Sequence, residues 1–87
     1  MDAYGEDEQL AGFYTMIEEN LALPFITRVL GIEVTVEGIE LTDWGIAAIC
    51  VRGVHWQSIA ILDLPLPAPS PPGSEWIRAY GHWAGRR

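Results

Sequence analysis

"IEVTVEGIELTDWGIAAICV" spans Ile32 to Val51, and two patterns meet inside it. In the first half Ile32, Val34 and Val36 alternate with Glu33, Thr35 and Glu37. That is the period-two signature of a strand with one buried face and one wetted, acidic face. Ile39 and Leu41 carry the alternation past Gly38, which marks a bulge or bend because a residue without a side chain interrupts a regular ladder. In the second half, "IAAICV" (Ile46–Val51) is apolar on both faces and suits a central strand. Arg52 and Gly53 then supply a turn, and "VHWQSIAIL" (Val54–Leu62) the returning strand. Several short strands with tight turns over about residues 26–62 predict a small SH3-like β-barrel or a bent antiparallel sheet.

The flanks read as helix. Over residues 6–21, Leu10, Phe13, Tyr14, Ile17 and Leu21 form one stripe of a 3.6-residue repeat. Glu6, Asp7 and Glu8 fall in the first turn, where unpaired amides favour negative charge. Pro24 stops the helix, since its ring fixes φ and it has no N–H to donate. "LPLPAPSPPG" (Leu64–Gly73) holds five prolines and predicts an extended, stiff connector over the surface; it has no basic anchor of the kind a PxxP ligand carries. Ser74 is placed to cap a closing helix over 74–84, with Glu75 in its first turn. Trp76, Ile77, Tyr80 and Trp83 give that helix an aromatic face. The 87 residues therefore predict one α+β domain, 1–87, with a helix on either side of the β-layer.

Charge narrows the partners. The net charge is −7, and it is uneven: residues 1–43 carry ten acids and one base, Arg28, while residues 44–87 carry two acids and four arginines. An acidic half repels phosphate backbones and anionic lipid, so neither nucleic acid nor a membrane surface is an expected partner; a cation or a protein is. Cys50 is the only cysteine. It excludes an intrachain disulfide and reads as a buried structural thiol. The opening "MDAYGEDEQ" is acidic where a signal peptide is basic and then apolar, and no apolar run approaches the ~20 residues that span a bilayer. A soluble cytoplasmic protein is expected.

Catalytic signatures are missing. Ser58, Ser70 and Ser74 lack nucleophile-elbow glycines, and His55 and His82 each adjoin a tryptophan, which suits packing better than a triad. No Gly-rich phosphate loop or EF-hand loop is present, and the spacing of His55, His82 and Cys50 does not suit zinc. No enzymatic activity is expected. The acids remain. Glu33 and Glu37 share a strand face, and Glu40 and Asp43 sit near the following turn. Hard cations such as calcium take six to eight oxygens from carboxylates, carbonyls and water. On spacing alone, a solvated acidic face outweighs an ion site.

Three blocks carry a family resemblance. "DAYGEDEQLAGFYTMIEENLALPF" (Asp2–Phe25) resembles the opening of the small acidic calcium-binding proteins of cyanobacteria, the CcbP family, with its Asp-Ala-Tyr-Gly…Glu-Gln stretch, acid pair and Leu-x-x-Pro-Phe. "AYGHWAG" (Ala79–Gly85) is similar to that family's Trp/His/Trp-rich close, and "GIEVTVEGIE" (Gly31–Glu40) to the start of its central barrel. The resemblance implies a barrel flanked by two helices, and calcium (Ca2+) held by surface carboxylates, for buffering or sensing. Where the family runs on in acids, this chain reads "TDWGIAA" and keeps only Asp43. Glu33 matches a family acid; Glu37 and Glu40 are acids of this chain alone. The expected ligands are Asp43, then Glu40, Glu33 and Glu37. The alternative is a metal-free protein-interaction module of the same fold, using its aromatic helix or acidic face.

Overall fold

The computed structural model of the chain describes residues 3–85. Its elements run α1 (Ala3–Asn20), β1 (Phe25–Val29), β2 (Ile32–Thr42), β3 (Gly45–Arg52), β4 (His55–Ala60), a 3-10 turn (Ile61–Asp63) and α2 (Ser74–Gly85). Helix α1 begins three residues before the expected start, so its acids fall later than the first residues of the helix. It ends at Asn20, whose side-chain amide folds back to donate to the Met16 carbonyl at 2.8 Å. The stripe read from the sequence is the packed face. Ile17 and Leu21 are buried, and Leu10, Phe13 and Tyr14 lie half-buried against the same cluster.

The four strands form one antiparallel sheet in the order β1–β2–β3–β4, so each strand pairs with its neighbour in sequence. The sheet is open. Of the two forms expected, the antiparallel sheet is present and not the closed barrel, which would need β1 and β4 to pair. The proline-rich segment lies along β1, and Thr27 Oγ1 donates to the Pro65 carbonyl at 2.6 Å. Prolines cannot donate to a ladder, so that segment covers β1 without extending the sheet. Strand β3 is central, and Gly45 to Ala48 are all buried, as an all-apolar strand requires.

A bulge decides how β2 is used. Val36 pairs with Cys50 and Gly38 with Ile49, so Glu37 is an extra residue on β2. One inserted residue reverses the in/out alternation beyond it. Val36 before the bulge and Ile39 after it consequently point to the same side, where a regular strand would have turned one of them to water. Val36 joins Ala48, Cys50 and Leu64 in one buried cluster, and Ile39 joins Ile17, Ile46, Ile61, Ile77 and Tyr80 in another. One face of the sheet thus carries both clusters. The helices cover the end near the β2–β3 turn, and Leu64 covers the middle.

The helices meet at a tight junction. The Ala22 amide donates to the Pro72 carbonyl at 2.8 Å, and Gly73, at φ 92°, sits where any Cβ would overlap the Asn20 carbonyl. Among the described residues no helix is long and apolar enough to cross a membrane.

Three substitutions test this packing by chemical denaturation. Ile17→Ala is expected to cost about 2–5 kcal/mol, as for other fully buried aliphatic truncations. Gly73→Ala combines a backbone overlap with a left-handed φ and should destabilise strongly. Gly12→Ala, which faces open space on α1, should stabilise by up to about 1 kcal/mol. Equal effects at Gly73 and Gly12 would contradict the junction.

Candidate functional site

Strand β2 and its turn carry all four acids expected as ligands, and the strand's extended geometry separates them. Glu33 lies directly across from Arg28 of β1 at the start of β2. Glu37 is the exposed bulge residue. Glu40 pairs in register with Ala47, and its carboxylate accepts a hydrogen bond from the Ser58 hydroxyl on β4. Ser58 pairs in register with Ile49, so that bond runs diagonally across β3. Asp43 sits in the β2–β3 turn. At about 3.3 Å per residue, Glu33 and Asp43 stand roughly 30 Å apart. A calcium ion's ligands all lie within about 2.6 Å of it, so the four cannot share one ion. Among the described residues no group of three or more His, Cys, Asp and Glu side chains could hold a metal ion.

The turn itself is well built. Thr42 Oγ1 donates to the Gly45 carbonyl at 2.7 Å and accepts from the Trp44 amide at 3.3 Å, closing a two-residue reversal over Asp43 and Trp44. Gly45 has φ 132°, and a Cβ there would come within 2.7 Å of the Tyr80 hydroxyl. That hydroxyl, on α2 and buried, accepts from the Ile46 amide at 3.3 Å. Rings of Phe13, Tyr80 and Trp83 pack at centroid distances of 5.3–6.1 Å, and the Trp83 indole donates to Gln9 at 2.6 Å. Both helices are therefore fixed against the turn that carries Asp43.

This arrangement brings in an acid that spacing does not reveal. Asp7, from the exposed side of α1, lines the same cavity of about 370 Å³ as Asp43, with Leu10, Trp44, Tyr80 and Trp83. Among the described residues no base lines it. In sequence Asp7 reads only as a helix-dipole charge; 36 residues separate it from Asp43, and the pairing depends on how α1 crosses the sheet. Glu40 acts elsewhere. Tyr14 has its pKa raised first by burial, then by Glu18, to which its hydroxyl donates at 3.4 Å, and then by Glu40.

The remaining nucleophiles look structural. Cys50 is buried, its Sγ donates weakly to the Ala48 carbonyl at 3.9 Å, and burial raises its pKa, which disfavours the thiolate. Ser58 spends its hydroxyl on Glu40. Comparison with known protein families, curated proteins and solved structures gave no match, so the resemblance to the cyanobacterial calcium-binding proteins rests on the quoted residues alone.

Tyr80→Phe tests the anchoring of the turn. It leaves the buried Ile46 amide without its acceptor and should cost about 1–3 kcal/mol. Native-state hydrogen exchange at the Ile46 amide should accelerate while exchange at the centre of α1 follows only the global change. Uniform acceleration would mean that Tyr80 does not hold the turn in particular.

Proposed function

We propose that this chain is a non-catalytic binding protein of the cytoplasm whose calcium binding is confined to one weak site. Asp43 and Asp7 would be its two carboxylate ligands. The observation that supports this reading is the shared cavity: two acids from different elements border it, with no base among the described residues that line it. Carbonyl and water oxygens would complete the shell, as they do at other calcium sites. The same observation argues against a site along β2, because Glu33 and Glu37 lie far from Asp43 and Glu40 is engaged by Ser58. The resemblance at both ends of the chain favours calcium over other cations.

A ligand set of two carboxylates belongs at the weak end of the calcium range, about 10⁻⁴–10⁻³ M. Ten millimolar calcium at a dissociation constant of 1 mM would stabilise the fold by about 1.4 kcal/mol. For a domain of this size that is a rise in Tm of roughly 5–10 °C. Magnesium should do less, since it gives up water reluctantly and demands octahedral geometry.

The test is a thermal melt of chelator-stripped protein in calcium, magnesium and ionic-strength-matched sodium chloride. Asp43→Asn and Asp7→Asn should each remove most of the calcium increment and leave the metal-free protein as stable or slightly more so, because one of two like charges is gone. Glu33→Gln and Glu37→Gln should leave the increment intact. If all three salts act alike, the acids are a solvated face and the metal-free interaction module is the better reading.

A further inference from the structure

The apolar face of the sheet continues beyond the helices and Leu64. The helices pack over Ile39 and Ile46, and Leu64 closes over Val36, Ala48 and Cys50. Past Leu64 the same face runs on through Val29 and Val34, which edge the Leu64 cluster, to the exposed Ile32. There it forms an open cavity of about 290 Å³ whose wall includes Cys50. That volume stands at the small end of ligand pockets, and the lining is mostly apolar with a few polar groups, as such pockets usually are.

Two further features point to a ligand. The first is charge. In a chain with twelve acids, no described one lines this cavity; the charged side chain among its described lining residues is Arg52, beside His55 and Gln57. Register puts Arg52 opposite His55 and Gln57 opposite Cys50, on the same face as Cys50, and Arg52 makes no ion pair among the described residues. The second is the chemistry of the turns. Both hairpins at this end carry an aliphatic residue at the tip: Leu30 is 95% exposed and Val54 92%. Leu30 also adopts φ 54°, a left-handed conformation that costs a β-carbon residue about 1–2 kcal/mol and that Asn or Gly fills in most hairpins. An exposed leucine at a strained tip serves neither folding nor solubility.

We infer that this cavity binds a small aliphatic carboxylate, its chain along Val29, Ile32 and Val34 under Leu30 and its carboxylate on Arg52. The site lies at the opposite end of β2 from Asp43 and is independent of calcium.

Isothermal titration calorimetry with decanoate, below its micellar concentration, tests the inference. Decanoate should bind once per chain; acetate, with charge but no tail, should not bind, and decanol should bind more weakly. Arg52→Gln should weaken decanoate by about tenfold or more, the scale of a lost charge-assisted hydrogen bond, while decanol is unaffected and Arg52→Lys retains part of the affinity. Leu30→Asn should raise or preserve Tm yet weaken decanoate roughly fivefold. No decanoate binding, equal binding of decanol, or indifference to Arg52→Gln would overturn the inference. So would concentration-dependent dimerisation in sedimentation that Leu30→Asn abolishes, because a second copy would then be what covers this face.

Discussion

The Tyr80 hydroxyl, buried on α2 and accepting from the Ile46 amide, is the contact on which the rest of the arrangement depends. It joins the closing helix to the first turn of the central strand. A buried amide left without that acceptor would cost more than the bond contributes, so the contact constrains the chain on both sides of it. On the strand side it requires a glycine at 45, because any β-carbon would crowd the hydroxyl. On the helix side it sets the depth of α2, and with it the Phe13–Tyr80–Trp83 ring cluster that seats α1. The positions of Asp7 and Asp43 follow from those two placements.

The bulge at Glu37 is the second constraint, and it governs what is covered. By turning Ile39 to the same side as Val36, it gives one long apolar face to a sheet that has only two helices and one connector to cover it. The cover ends before the face does. A fold of 87 residues buries a smaller share of its surface than a larger one, and here the deficit is concentrated at one end of the sheet. The two ends of β2 consequently differ in character: one is acidic, ringed by aromatic residues and clamped by helices, and the other is aliphatic, open and bordered by Arg52.

Much of this was legible in the sequence wherever the information was local. The Leu10–Leu21 stripe, the all-apolar Ile46–Val51 run, the interruption at Gly38 and the proline segment each became the element they predict, with boundaries moved by up to three residues. What local pattern could not supply was closure of the sheet. Whether β1 meets β4 depends on what lies along β1, and that is decided by the distant Pro65 carbonyl bonded to Thr27. The same limit holds for the acids. Glu33, Glu37, Glu40 and Asp43 look like a cluster when written in a line, but an extended strand spreads sequence neighbours apart. Asp7 comes to Asp43 only through the crossing of α1, which no spacing encodes.

The most direct measurement of the central claim is a calcium titration followed by amide chemical shifts, residue by residue. If one weak site lies between α1 and the β2–β3 turn, the amides around Asp7, Asp43 and Trp44 should move together along one saturating curve, and those of Glu33 and Glu37 should stay still. Small, unsaturating shifts at every acidic position, reproduced by sodium chloride, would contradict it.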